Sequence, residues 1–189
     1  LEQIRTFIAI EIPASIQQQI ALLQNRLKSV GEGISWVKTN NIHLTLKFLG
    51  DVPVNLMQQV IEATEKACAD LKSFNLEIAG TGFFPDAKRP RVLWVGCEEK
   101  SGTLQKIHQN LDLVLSNLGF EKQSRRFSPH LTIGRVKDPR KLGDIPHLMQ
   151  QMPFVTDKFV ASEVIVMKSQ LHPAGSIYTP LAKIKIEKL

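Results

Sequence analysis

The sequence predicts an α+β fold: a bilobal, duplicated body of two antiparallel-rich sheets with outer helices, related by a pseudo-twofold around a central cleft. Three observations carry this expectation. Short β-rich runs alternate with apolar stripes of helical period along most of the chain. The order of elements also recurs, with Arg5 in RTFIAI matched by Arg91 in RVLWVG at an offset of 86, and His43 in HLTL matched by His130 in HLTI at an offset of 87. A strand-helix-strand-helix-strand unit of that size buries too little surface alone, so the two copies should pack together with equivalent strands facing across the cleft. Finally, 189 residues with 43% hydrophobic and 22% charged side chains fall in the ordinary globular range, which excludes a disordered tail, a fibre or a coiled-coil rod.

Each element has its own signal. Residues 5–11 are a short β-rich run, and Pro13 opens a helical stripe of Ile16, Ile20, Leu23, Leu27 and Val30 that Gly31 stops. Residues 42–49, IHLTLKFL, alternate as a strand closed by Gly50-Asp51. A helix is expected over 53–72 with Leu56, Val60, Ala63, Ala67 and Leu71 inward, then a strand over 74–79. Residues 80–91, GTGFFPDAKRPR, are rich in Gly, Pro and charge and read as a linker or a loop at a site. The order then restarts: a strand over 91–96, a helix striped by Leu104, Ile107, Leu111, Val114 and Leu118 and stopped by Gly119, and a strand over 129–136. A weaker helix with Pro146 spans 138–152, and strands cover 159–167 and 178–186. The whole is one domain of two repeats, 5–85 and 91–171, with a C-terminal strand at 178–188 completing the sheets.

Lysine and arginine outnumber aspartate and glutamate by 24 to 18, for a net charge of +6, which favours phosphate-bearing partners without naming one. No 18-residue apolar stretch exists, and the start LEQIRTF lacks the build of a signal peptide, so a cytoplasmic protein without membrane contact is expected, as a monomer. Cys68 and Cys97 show no metal or redox spacing and read as reduced core thiols.

The chemistry sits in the two tetrapeptides. Side chains alternate along a strand, so His43 and Thr45 share one face, as do His130 and Thr132, while Leu44, Leu46, Leu131 and Ile133 anchor the other. His108, His147 and His172 lack the pattern and read as surface or capping residues. Two imidazoles flanking a phosphodiester suit in-line displacement: a neutral one takes a proton from the attacking water while a protonated one gives a proton to the leaving oxygen. Threonine hydroxyls donate to the non-bridging oxygens. A two-histidine metal site competes with this, but no third carboxylate or cysteine stands at an ordered spacing.

The segments RTFIAIEIP, ISWVKTNNIHLTLKFLGDV, GFFP with RPRVLWVG, and FSPHLTIGRV, with their paired H-x-T-x motifs, resemble those of the RNA 2′,3′-cyclic phosphodiesterases, also called 2′-5′ RNA ligases, of the two-histidine phosphoesterase superfamily. The likeness covers nearly the whole chain. It implies a metal-independent site with no cofactor, acting on RNA 3′ ends that carry a 2′,3′-cyclic phosphate, tRNA-like fragments among them. The implied reaction is hydrolysis to a 2′-phosphomonoester, with reversible 2′-5′ joining in some members. By the same resemblance His43 is the proton donor, His130 the proton acceptor, and Thr45, Thr132 and Arg135 hold the phosphate.

Arg135 stands at an odd offset from His130, which strict alternation aims at the opposite face; a bulge at Gly134 would re-aim it. Lys47 has the parity of His43 and Thr45 and is a further candidate for the substrate. Phe7, Phe83, Phe84 and Phe127 are weighed as faces for the terminal base against core packing, with Phe7 and Phe84 kept as substrate-binding candidates, and Trp36 and Trp94 read as core. Arg125, Arg126, Lys88, Arg89 and Arg91 are candidates for the RNA backbone, Arg126 foremost. Other substrates with the same chemistry stay open, namely a small cyclic nucleotide, an ADP-ribose cyclic phosphate or a 2′-5′ oligonucleotide. So does a non-catalytic RNA-binding module.

Overall fold

The computed structural model describes residues 2–124, 126–173 and 175–187. In chain order the elements are β1 (Gln3–Glu11), α1 (Ala14–Lys28), β2 (Ile34–Trp36), β3 (His43–Pro53), α2 (Met57–Cys68), β4 (Phe74–Phe84), β5 (Val92–Glu98), α3 (Thr103–Ser116), β6 (His130–Val136), α4 (Ile145–Gln151), β7 (Phe159–Ala161), β8 (Glu163–Gln170) and β9 (Ile177–Lys185). They form an α+β body of two sheets, ordered β3-β1-β8-β9 and β2-β6-β5-β4-β7, with every pairing between named strands antiparallel.

The sheet orders match strand for strand if β3 is set on β6, β1 on β5, β8 on β4 and β9 on β7. Strands are exchanged between the halves of the sequence: β4 flanks β5, and β8 flanks β1. Neither sheet is therefore built from one half alone, and one apolar core runs through Ile8, Leu44 and Val166 as well as Leu93, Leu131 and Ile78. The expected stripes enter this core with Ile16, Ile20, Leu23 and Leu27 of α1 and Leu104, Ile107 and Leu111 of α3 buried, whereas Val30, Val114 and Leu118 are only partly buried and Leu115, outside the expected stripe, is buried in α3.

Several expected boundaries move, for one recurring reason. Gly50 does not close a strand: β3 runs on to Pro53, and Gly50, at φ +73, sits beside a register shift between Thr6 and Phe7 of the partner strand. Gly80, at φ +76, likewise lies at a register shift inside β4, so the expected loop at 80–91 is strand as far as Phe84 and connection only beyond it. A glycine able to take positive φ absorbs an extra residue within a paired strand as readily as it ends one. The lengthening of β3 shortens the helix expected from residue 53, which starts as α2 only at Met57. The expected strand at 159–167 is two strands, β7 and β8, in different sheets, and β2 lies in a stretch read as turn. In the β1/β3 and β5/β6 ladders Phe7, Ile8 and Ala9 stand where Val92, Leu93 and Trp94 stand, which matches Arg5 with Pro90 and not with Arg91.

Candidate active site

β3 and β6 lie against each other, and the two motif histidines, with Thr45 and Thr132, line one cavity of about 620 Å³. The local geometry of the two motifs is the same. His43 Nδ1 lies 2.8 Å from the carbonyl oxygen of Asn41, and His130 Nδ1 lies 2.7 Å from that of Ser128, two residues upstream in each case. A carbonyl only accepts, so each Nδ1 carries the proton and donates it. Each Nε2 is left as the atom that gives or takes a proton.

Aromatic rings fix both imidazoles. Phe7 stacks on His43 with centroids 4.6 Å apart, and Tyr178 meets the same ring edge-on at 5.1 Å. Phe84 packs edge-on against His130 at 4.8 Å, with Trp94 at 6.2 Å. Burial among these neighbours holds His43 below the ordinary histidine range, against the opposing pull of the Asn41 carbonyl, so the free protein favours a neutral ring there.

Both strands bulge just after the threonine. Ala9 pairs with Thr45 but Ile8 with Lys47, and Trp94 pairs with Thr132 but Leu93 with Gly134. One extra residue reverses parity, so Arg135 faces the cavity with Thr132, and Phe48 faces it with Thr45. Gly134 is required at the second bulge, because a Cβ there would lie 2.7 Å from Ile34 Cγ2.

The bulge of β3 removes Lys47 from the site. It is 3% exposed and turned away from the cavity, its ammonium bonded to Asp112 of α3 and to the Glu121 carbonyl. Other expectations are also corrected. Phe7 lines the cavity but is 3% exposed, so its ring face is spent on His43 and not open to a base. Phe84 is not among the cavity-lining residues, and it touches His130 instead. Phe83 is core, and Phe127 stacks on His108 at 4.1 Å. Arg126, Lys88, Arg89 and Arg91 are exposed but lie off the described cavity lining, and Arg125 lies outside the described residues. His108 is no surface residue: it is 4% exposed and bonded to Gln123. Trp36 reaches the cavity wall, and His172, though exposed, lines it too. Cys68 and Cys97 are buried, which pushes both thiols up to about 12.

The sequence reading missed Phe48, Arg5 as a cavity residue, and Tyr178. Phe48 stands at the same offset of five from its histidine as Arg135, but no glycine marks the bulge that turns it to the cavity. Arg5, whose guanidinium lies 4.7 Å from the Phe48 ring centre, and Tyr178 come from strands whose neighbours only the tertiary pairing reveals. Asn41 was passed over as turn, yet its carbonyl orients His43 and its amide donates to the Ser176 carbonyl at 2.7 Å, tying the β8–β9 connection to the cavity wall.

The family model for LigT-like phosphoesterases matches the chain twice in tandem, over residues 10–94 and 95–178. The chain belongs to the LigT-like phosphoesterases. Among its relatives, the RNA 2′,3′-cyclic phosphodiesterase of Methanothermobacter thermautotrophicus is 31% identical, the match covering 97% of this chain and all of the relative. That of Methanocaldococcus jannaschii is 35% identical over 92% of this chain and 96% of the relative. This LigT-like phosphoesterase also superposes on a crystal structure from Thermus thermophilus with a TM-score of 0.83, at 23% identity and covering 97% and 98% of the two chains. It superposes on E. coli LigT complexed with 3′-AMP with a TM-score of 0.80, at 23% identity and covering 98% and 99%, a likeness that bears on the fold.

Proposed function

We propose that this protein hydrolyses the 2′,3′-cyclic phosphate at an RNA 3′ end to a 2′-phosphomonoester, with no metal ion, through acid-base catalysis by His43 and His130. The observation that carries the reading is that both imidazoles, each with Nε2 left for proton transfer and a threonine on the same side, line one cavity. The names of the relatives supply the substrate class.

In the reaction a water oxygen forms a bond to phosphorus as the bond from phosphorus to the 3′-oxygen breaks. His130 Nε2 takes the proton from water and His43 Nε2 gives one to the departing 3′-oxygen. Thr45, Thr132 and Arg135 meet the non-bridging oxygens, whose charge must be held throughout. Burial favours the neutral form of His43 in the free protein, and a phosphodiester anion bound beside its ring favours the charged form, so the donor proton is taken up from solvent as the substrate binds. Phe48, 48% exposed and backed by Arg5, offers a ring for the terminal base. With a 5′-hydroxyl in place of water the same displacement, with His130 as base and His43 as acid, gives a 2′-5′ linkage, and in the reversal of that step, where the 3′-hydroxyl attacks and the 5′-oxygen leaves, the histidines exchange roles.

The test is incubation with RNA bearing a defined 2′,3′-cyclic end. The expected product is a 2′-phosphate, formed equally well in EDTA. A 3′-phosphate, or loss of turnover on chelation, contradicts the reading. Comparison of kcat/KM for a cyclic mononucleotide separates RNA from a small-molecule substrate, and adding an RNA with a 5′-hydroxyl tests joining.

A further inference from the structure

Each motif strand's bulge is met by a polar side chain from a helix of the opposite half of the sequence. At the bulge of β6, Gln24 of α1 is 3% exposed, and its amide donates both to the Ile133 carbonyl, at 2.9 Å, and to the Val37 carbonyl, at 2.8 Å. Ile133 is the residue between Thr132 and Gly134, where the register slips, and Val37 directly follows β2 and with it forms the adjoining cavity wall. At the bulge of β3, Lys47 is bonded to Asp112 of α3. Gln24 and Asp112 are 88 residues apart, beside the 87 that separates the motifs, so the two contacts are counterparts. Both cross from one half to the other.

We propose that Gln24 is a positioning residue for the phosphate grip, acting through the β6 bulge on Arg135. The Ile133 carbonyl already accepts from the Val37 amide at 3.1 Å, and the Gln24 amide adds a second bond to it while also meeting the Val37 carbonyl, so one buried nitrogen ties both sides of the bulge together and with them the parity that turns Arg135 to the cavity. Only a side chain with two N–H donors at one nitrogen and no net charge serves two carbonyls at this depth; methionine of similar length has none. The Lys47–Asp112 pair plays the corresponding part for Phe48. This rests on the phosphodiesterase reading for its assay but not for its binding arm.

The experiment is a double-mutant cycle between Gln24→Met and Arg135→Ala in the full chain. Four quantities are read: kcat and KM on RNA with a 2′,3′-cyclic end, affinity for 2′-AMP by calorimetry, and Tm. Gln24→Met is expected to lower kcat/KM roughly 10- to 100-fold and to weaken 2′-AMP binding, the range for displacing a gripping group by about an ångström. In the Arg135→Ala background the same change is expected to cost less than about 3-fold, since the group it positions is gone. An equal loss in both backgrounds, or parental kinetics in Gln24→Met, overturns the proposal. A merely structural role would move Tm and leave the two losses additive. If Gln24→Met does not fold, Gln24→Glu, which keeps the volume and sets acceptors against the carbonyls, runs through the same cycle. A parent chain that binds 2′-AMP through Gln24 and Arg135 but leaves the cyclic end intact sinks the hydrolysis alone. One that hydrolyses with additive losses sinks the positioning alone, and one that neither binds nor hydrolyses sinks both.

Discussion

β3 and β6 carry the same histidine-threonine pair, the same Nδ1 bond to a carbonyl two residues back and the same bulge, yet they differ at the positions the bulge controls. Four residues after the histidine, Lys47 dives into the core to pair with Asp112, while Gly134 leaves that space to Ile34 and Trp36. Five residues after it, Phe48 offers an aromatic ring to the cavity and Arg135 a guanidinium. β3 is a sheet edge; β6 is covered by β2. In the proposed reaction, what stays alike is what proton transfer at one phosphorus would need twice, and what differs is what an asymmetric substrate would need once, a ring for the base on one side and a charge for the phosphate on the other.

The comparison is broken most severely by removing either member of the alike pair. His43→Ala and His130→Ala are each expected to lower kcat by about 10²- to 10⁴-fold on cyclic-ended RNA, with circular dichroism unchanged. A variant with parental turnover would show that the two motifs are not equivalent in use.

The differing positions should respond in stability. Lys47→Ala strands Asp112, 15% exposed, without its cation and is expected to cost about 3 kcal/mol in chemical unfolding. Gly134→Ala sets a Cβ against Ile34 and is expected to cost about 1–3 kcal/mol, together with a rise in KM as Arg135 shifts. If the lysine change proves as mild as a surface substitution, the buried pair is not what holds the first bulge.

The smallest effect concerns the two imidazoles' surroundings. Burial lowers the His43 pKa in the folded chain, whereas the unfolded chain titrates near 6.5. The unfolded state then binds more protons just below 6.5, so stability falls as pH drops from there through the folded value and is unaffected above it. Unfolding measured from pH 7.5 to 5 should show this loss in the parent and not in His43→Gln. NMR should place the His43 titration below 6.5.

Much of this was legible beforehand, and the exceptions are instructive. The core stripes of α1 and α3, the paired motifs and their shared face follow from short-range periodicity. The parity of Arg135 was readable because glycine in a strand signals a bulge. The parity of Lys47 was not, since its bulge contains no glycine and its partner Asp112 lies 65 residues away. The aromatic housing of His43 depends on β8 pairing with β1, which brings the adjoining β9 alongside and is set by tertiary packing, so Tyr178 carried no local mark.

The central claim is that two imidazoles act together on one phosphorus. Single-turnover cleavage of RNA with a 2′,3′-cyclic end by His43→Ala, His130→Ala and the double variant tests it most directly. Groups that serve a single step lose their benefit together, so the double variant should be no slower than the slower single one. Losses that multiply would contradict the account.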